Sequence, residues 1–192
     1  SEIKDLDQSV IDEWFVPSIE GRDIKKWSSK QSEKLLLCIP HEVTDIPIAI
    51  KSLLEPYEEK LRARTEAKLN DKWFTLRPCS YYDVFKKKRI IFPDISSTSR
   101  FSIEDSDAIS LDGSFVIESE NLALLGVLNS EIAWNYYLDH FSSIGNAKNN
   151  GRLRFKKNHI EEMPVPKLIW EDSAIVAELK LVVEQIIMIE IK

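Results

Sequence analysis

The length and spacing of apolar runs differ between parts of the chain. Between residues 73 and 118 the runs are short and β-rich, and Ser, Asp and Gly separate them: WFTL, RIIF, RFSI, AISL and SFVIE. Such runs predict a small mixed sheet. Before and after this region, apolar residues recur at three- and four-residue spacing, which predicts amphipathic helices. The pattern therefore indicates an α+β fold, a small mixed β-sheet with flanking helices.

The predicted helices carry start and stop signals. In DIPIAIKSLLEPYEEKLRAR, Asp45 is placed to cap a helix that we expect to kink near Pro56. In SENLALLGVLNSEIAWNYYLDHF, Ser119 and Ser130 each precede an apolar stripe. We therefore expect two consecutive helices there, broken near Asn129.

The final segment, EDSAIVAELKLVVEQIIMIEIK, predicts a long C-terminal helix from about Ser173 onward. Its apolar residues recur with heptad spacing, but further apolar positions widen the stripe. Packing within the domain and binding to a partner therefore stay equally open for this helix. A Pro-x-Pro segment, MPVP, precedes it, so we expect one compact domain over residues 1–168 and a separate C-terminal helix over residues 169–192.

Composition narrows the class of protein. With 43% apolar residues in 192, the chain can bury a core, which argues against intrinsic disorder. No basic and then apolar leader opens it, and charged residues interrupt its most apolar region, 173–191. We therefore expect neither secretion nor a membrane, and predict a cytoplasmic protein. Cys38 and Cys79 are two lone thiols, which do not suit a disulfide framework.

The charge is unevenly distributed along the chain. A net charge of −6 argues against binding nucleic acid with the whole surface, because phosphate neutralisation needs clustered Lys and Arg. Two segments, VFKKKRIIF and NAKNNGRLRFKK, are nevertheless basic and contain no acidic residue. One face of the protein can therefore meet phosphate while the rest stays acidic.

Catalytic signatures are weak. Pro93-Asp94 resembles the start of a metal-dependent nuclease motif, but the downstream Glu/Asp-x-Lys sequence, as in Glu178-Leu179-Lys180, occurs within the predicted terminal segment 173–192 and not on a neighbouring strand. The sequence has no glycine-rich phosphate loop, no nucleophile elbow and no Asn-Pro-Pro-aromatic tetrapeptide. Its three histidines are not at metal-ligand spacing. We therefore expect no catalytic residue, metal or cofactor in this chain.

The candidate chemistry is DNA binding through the two basic segments. Lys and Arg neutralise phosphate, Ser and Thr hydroxyls approach it closely, and Asn and Arg can pair with base edges in the major groove. The alternative is that such segments are an ordinary solvated charged surface and a flexible Asn-Gly turn. The predicted DNA-binding residues are Lys86, Lys87, Lys88, Arg89, Ser97, Thr98, Arg100, Lys148, Asn149, Asn150, Arg152, Arg154, Lys156 and Lys157.

Several segments in order carry a family resemblance: EGRDIKKW, WFTLRPCSYYDVF, KRIIFPDIS with RFSI, LLGVLNSEIAWNYYL and GRLRFKKNHIEEMPVPKL. Together they resemble the C-terminal target-recognition domain of Taq-type adenine DNA methyltransferases and of single-chain type IIG restriction–modification enzymes. The resemblance covers about residues 12–168. The MPVPKL turn before a long helix is also similar to type I specificity subunits.

The resemblance implies a non-catalytic domain that recognises a short sequence in double-stranded DNA. It implies a methyltransferase domain or subunit in the same protein or complex, often with a nuclease, and S-adenosylmethionine as the cofactor of that absent part. Residues 1–168 would then be the recognition domain, and residues 169–192 a spacer or packing helix. The alternative is a protein-interaction module that uses the C-terminal helix and does not bind DNA.

Overall fold

The computed structural model describes residues 2–70, 72–78, 82–146 and 151–190. The chain divides into two compact units: unit 1 is residues 1–16 with 34–82, and unit 2 is residues 17–33 with 83–192. Each unit has a buried apolar cluster of its own. This division follows contacts within the structure, whereas the boundary predicted at residue 168 concerns function and stays a prediction. The C-terminal helix belongs to unit 2.

Unit 1 is mainly helical. Its core is formed by Trp14, Phe15, Ile39, Ile46 and Ile50. Its elements are α1 (Gln8–Trp14), the first residues of β1 (Phe15–Ile19), β2 (Leu35–Leu37), α2 (Ile48–Leu54), α3 (Glu58–Arg62) and α4 (Thr65–Asn70). The kink predicted near Pro56 is confirmed, because a 3-10 turn, Glu55–Tyr57, separates α2 from α3.

Two local predictions in unit 1 are wrong. Asp45 does not cap α2: the N-cap position belongs to Pro47, and the Asp45 carboxylate accepts a hydrogen bond from the adjacent amide, Ile46 N, at 3.0 Å. WFTL forms a turn instead of a strand. The reason lies in Arg64, whose guanidinium donates to the backbone carbonyls of Trp73 and Thr75 and so occupies acceptors that a strand partner would need.

Unit 2 contains most of the β-structure. It holds the last residues of β1 and then, in chain order, β3 (Arg89–Pro93), β4 (Ile95–Ser96), β5 (Ser102–Glu104), β6 (Ile109–Ser110), β7 (Ser114–Ile117), α5 (Leu122–Leu128), α6 (Glu131–His140), β8 (Ser142–Ile144), β9 (Arg152–Arg154), α7 (Lys157–Glu161) and α8 (Ala174–Glu190). This is the mixed architecture that the hydrophobic pattern predicted: three-stranded sheets, flanking helices and a C-terminal helix.

β3 is the central strand of unit 2. It lies between β5 and β7 and pairs with both in antiparallel register. Its two faces are both buried: Ile90 and Phe92 join the main cluster with the helices, while Ile91 packs with Ile19 and Ile24 on the other side. A strand buried on both faces reads as a continuous apolar run, which explains RIIF.

The helices of unit 2 follow the prediction with one changed cap. Ser130 caps α6 as predicted, because its Oγ accepts from Ala133 N at 3.1 Å, whereas α5 is capped by the Asn121 side chain instead of Ser119. Between them, the buried Asn129 side chain accepts from the backbone N–H of Phe101 and donates to its C=O, at 3.1 and 2.8 Å. This pair of hydrogen bonds anchors the helix pair to the segment before β5.

α8 packs on α5. The contact is close because α5 carries Gly126, where an added Cβ would lie 3.0 Å from a methyl group of Val183. Within the described residues, no helix has the length and apolar character needed to span a membrane.

Candidate nucleic-acid interface

A three-stranded sheet joins the ends of the two basic segments. β9 lies between β4 and β8, and both of its pairings are antiparallel. In the first pairing Ile95 is opposite Arg154 and Ser96 is opposite Leu153. The strand end of KKKRIIFPDIS is therefore hydrogen-bonded to RLRF, more than fifty residues later in the chain.

The alternation of side chains along β9 separates its two arginines from the core. Leu153 is fully buried in the main cluster, whereas Arg152 is exposed and Arg154 is half-buried. Directly opposed residues of antiparallel strands share a face, so Ile144 lies beside Arg152, and Ser142 lies beside Arg154. The two arginines therefore stand on one outward face of the sheet, which we call the arginine sheet face.

The turn after β4 adds hydroxyls and a third guanidinium next to this face. β4 ends at Ser96, which is opposite Leu153, so the turn that begins at Ser97 leaves the sheet next to the β9 residues that flank Leu153. Ser97 and Thr98 are exposed, and Arg100 is half-buried, with its Nη2 donating to the backbone carbonyl of Arg22 at 3.1 Å. The Ser97–Arg100 turn and the arginines of β9, which the sequence suggested separately, thus belong to one surface.

Lys148, Asn149 and Asn150, three of the remaining candidates, lie outside the described residues. After β9, Lys156 and Lys157 are both exposed, and Lys157 Nζ lies 3.6 Å from a Glu161 carboxylate oxygen.

The lysines of the first basic segment lie before β3, whereas the Ser97–Arg100 turn follows β4. The five residues of β3 alone separate them by about 16 Å. Lys86 pairs with Asp83 at 3.1 Å, and Lys87 pairs with Glu118. The hydrogen bond and charge of that carboxylate raise the pKa of Lys87. These ammonium groups are therefore already partly neutralised by neighbouring carboxylates, while Lys88 is half-buried.

Arg89 is a correction to the predicted set. Its side chain is fully buried, and its guanidinium donates to the backbone carbonyls of Phe85, Lys87, Ser106 and Ala108. Burial lowers its pKa, while nearby carboxylates, with Glu104 first, act in the opposite direction. A phosphate has no access to this group. Arg89 ties the start of β3 to the segment before β6, and we leave it out of the interface.

Asp94 has a backbone role in the link between β3 and β4. Its N–H donates to Gly113 O at 2.9 Å, and its C=O accepts from Phe155 N at 2.6 Å. Among the described residues, no group of three or more His, Cys, Asp or Glu side chains is placed to hold a metal ion. The link at Pro93-Asp94 carries β3 from one three-stranded sheet into the strand that pairs with β9.

Two parts of this surface were missing from the predicted set. Ser142 and Ile144 share the arginine sheet face but carry no charge that a sequence pattern would single out. Arg22, whose carbonyl accepts a hydrogen bond from Arg100, belongs to the segment EGRDIKKW, which also carries Lys25 and Lys26. Their signal was the basic, aromatic-flanked composition of that segment, but its distance in sequence from the two predicted segments hid the proximity.

The model of the TaqI-like C-terminal specificity domain matches residues 16–165 of this chain. This chain belongs to that family. The match covers β1 to the residues after α7, and thus includes the arginine sheet face and the Ser97–Arg100 turn. The specificity domain assignment agrees with the resemblance noted in the sequence.

Among solved structures, the specificity domain is similar to part of the type IIG restriction endonuclease BpuSI. The two chains share 15% sequence identity with a TM-score of 0.55, and the likeness covers 92% of this chain and 22% of the BpuSI chain. At this identity the likeness concerns the fold. The chain spans about a fifth of the length of that structure.

Proposed function

We propose that this specificity domain recognises a short sequence in double-stranded DNA for a restriction–modification enzyme. The observation that carries the proposal is the pairing of β4 with β9, because it puts Arg152 and Arg154 on one outward face beside the Ser97–Arg100 turn. Family membership supports the same function. The overall acidic charge is compatible with it, since a local group of cations, Arg152, Arg154, Lys156 and Lys157, lies in and directly after β9.

The side chains suit a division of labour on DNA. A guanidinium can donate two parallel hydrogen bonds to guanine O6 and N7, so Arg152, the more exposed of the two, is our candidate for contacting a base. Ser97, Thr98 and Arg100 supply hydroxyl and guanidinium donors for phosphate oxygens. Lys156 and Lys157 extend the phosphate-binding part, and the loop with Lys148, Asn149 and Asn150 stays a predicted base-contacting loop.

The proposal includes a catalytic partner. A methyltransferase domain or subunit, in the same polypeptide or complex, would use S-adenosylmethionine to modify the recognised site in the cytoplasm, and a nuclease can accompany it. The small share of the BpuSI structure that this chain spans is compatible with such an arrangement. The specificity domain would hold that partner on its target.

Selection from a random duplex library tests the proposal. The 192-residue chain is immobilised, bound duplexes are recovered and amplified, and the recovered sequences are compared. We expect enrichment of a short common motif. The logarithm of the binding constant should fall with the logarithm of the salt concentration, with a slope of roughly −0.9 for each phosphate contact. Binding that is absent at low salt, or that is indifferent to salt, contradicts the proposal.

Two variants separate base contacts from charge. Arg152→Ala should reduce the preference for the selected motif by about 1–3 kcal/mol, the typical discrimination of one paired arginine–guanine contact. Arg152→Lys keeps the charge and loses the paired geometry, so it should bind random DNA like the wild type but discriminate less. The matched control is Arg62→Ala on α3 of unit 1, another exposed arginine, which should change neither property.

One observation favours a second function, protein interaction through the C-terminal helix. α8 packs on α5 with Val176 and Val183, but Ile175, Val182 and Ile189 remain 67%, 46% and 71% exposed on another face. Their seven-residue spacing aligns these three side chains on one side of the helix. If this were the main function, Val182→Glu would abolish association with a partner while the selection experiment returned no motif.

A further inference from the structure

The segment from Ile24 to Lys30, which we call the lysine turn, presents two lysines on the surface of unit 2. Ile24 and Ser29 form an antiparallel bridge, and Lys25 N donates to Ser28 O at 2.8 Å. Lys26 and Trp27 therefore form the tip of a tight turn. Lys25 and Lys26 are both exposed.

Trp27 makes this turn unusual. Its φ is +75°, a left-handed conformation that a large side chain rarely adopts and that Gly or Asn normally provides in a tight turn. Such strain persists only where the surroundings hold it in place. Here Trp27 N donates to Phe101 O at 2.9 Å, a bridge pairs it with Ser102, and its indole packs against the main cluster.

The base of the lysine turn is also fixed. Ser29 Oγ donates to a Glu104 carboxylate oxygen at 2.7 Å, and Lys30 N donates to Asp23 O at 3.1 Å. Lys25 and Lys26 thus extend from a well-held backbone. A fixed backbone lowers the entropy that a lysine contact must offset, so the turn is suited to binding a ligand of fixed geometry.

The lysine turn lies beside the Ser97–Arg100 turn. The hydrogen bond from Trp27 N to Phe101 O connects the lysine turn to the residue that follows Arg100. The Arg100 side chain in turn donates to the carbonyl of Arg22, just before the lysine turn. Glu20 pairs with Arg22 at 2.7 Å, and the Asp23 carboxylate accepts from a backbone amide. Lys25 and Lys26, both exposed, thus lie in a segment whose backbone is hydrogen-bonded to Phe101, the residue after the Ser97–Arg100 turn.

We propose that the lysine turn is a second phosphate-contacting element, which binds the backbone of the same duplex that the arginine sheet face contacts. This inference rests on the proposed DNA-recognition function. Lysine ammonium groups act as point charges without paired geometry, so the turn would fix the orientation of the domain on DNA without contributing to sequence preference.

Lysine labelling of the 192-residue chain tests the contact directly. The chain is treated with an amine-reactive reagent, with and without a saturating duplex of random sequence, and each lysine's modification is measured by mass spectrometry. Lys25 and Lys26 should become protected by DNA. Lys60 and Lys68, exposed on the helices of unit 1, should be modified equally in both samples.

Affinity measurements on matched variants complete the test. Lys25→Ala with Lys26→Ala should weaken binding to all duplexes, by about eightfold per lysine at 0.1 M salt, and should lower the salt slope by about 1.8. Lys60→Ala with Lys68→Ala removes the same charge from unit 1 and should leave affinity unchanged. The arginine replacements of Lys25 and Lys26 should restore binding, because charge is what the contact requires.

The outcomes distinguish this inference from the proposed function. If the wild-type chain binds no duplex at low salt, both are overturned. If the wild type binds and Arg152→Ala impairs discrimination, but the alanine variants of Lys25 and Lys26 bind normally and these lysines stay reactive, only the lysine-turn proposal is overturned. A loss confined to the selected motif would also contradict it, since a phosphate contact affects all sequences.

Discussion

The substitution Arg89→Met distinguishes two roles for this residue of the basic segment KKKR: stabilising the fold and binding DNA. Methionine keeps the length of the aliphatic stem and removes the guanidinium. The structure places this guanidinium in the interior, with donated bonds to four backbone carbonyls from two segments. We therefore expect Arg89→Met to destabilise unit 2 without weakening DNA binding of the folded protein.

The magnitude follows from the carbonyls that lose their donors. A buried acceptor left without a partner costs about 1–3 kcal/mol, so four would cost about 4–12 kcal/mol if nothing relaxed. Water entry and loop rearrangement reduce this sum, and removing a buried charge recovers its desolvation cost. We expect a net loss of about 3–5 kcal/mol in the free energy of unfolding, a large share of the usual stability of a domain.

Hydrogen exchange of the β3 amides is a suitable assay, because the two units need not unfold together and exchange reports on unit 2 alone. The control is Lys88→Met, which removes the adjacent positive charge from a half-buried side chain and should change stability by less than about 0.5–1 kcal/mol. Duplex affinity is measured on both variants at a temperature where each is folded. An Arg89→Met variant that is as stable as the wild type but loses DNA binding would show that Arg89 contacts DNA instead of stabilising unit 2.

Three further outcomes are expected. Asn129→Ala should lower stability by about 1–3 kcal/mol in urea unfolding, because it removes the acceptor of the buried Phe101 N–H, whereas Phe101 C=O keeps the hydrogen bond from Trp27 N; the exposed Asn135→Ala is the control. Gly126→Val should shift α8 and cost about 1–3 kcal/mol by thermal unfolding, since a valine methyl on α8 lies 3.0 Å from the added Cβ. Lys86→Ala with Lys88→Ala should weaken duplex affinity equally for all sequences. The loss should be smaller than for the lysine-turn variants, because Lys86 already pairs with a carboxylate. A larger loss of affinity for one sequence than for others would contradict this prediction.

Elements with strong local signals were predictable from the sequence. RIIF is a strand because three consecutive apolar residues, two of them β-branched, favour a buried strand, and Ser130 caps α6 because its hydroxyl can accept from the first turn. The kink near Pro56 also follows from local chemistry. The C-terminal helix begins within a residue of the expected position.

Features that depend on distant contacts were not predictable. The apolar run WFTL has the composition of a strand, but its carbonyls bond to Arg64 from an earlier helix turn. Asp45 and Ser119 are good capping residues that lost the position to neighbours, since cap identity depends on where the first turn begins. The division into two units reflects contacts between segments far apart in the chain.

The candidate site was predicted in its parts and missed in its assembly. Charge identified Arg152 and Arg154, and the alternation with Leu153 then placed them on one face. Charge alone misplaced Arg89, because a basic run is usually solvated and nothing local reveals that several backbone carbonyls surround its guanidinium. The proximity of Arg22 to Arg100 arises from tertiary contacts that no spacing rule contains.

Chemical-shift mapping tests the central claim most directly. The isotope-labelled chain is titrated with the duplex selected from the random library, and perturbations are followed for backbone amides and for arginine Nε–H groups. We predict the largest changes at residues 95–100 and 151–157, including the Nε–H signal of the exposed Arg152, with the helices of unit 1 unchanged. Binding whose largest changes fall instead on α2 and α3, or around Arg89, would contradict the account.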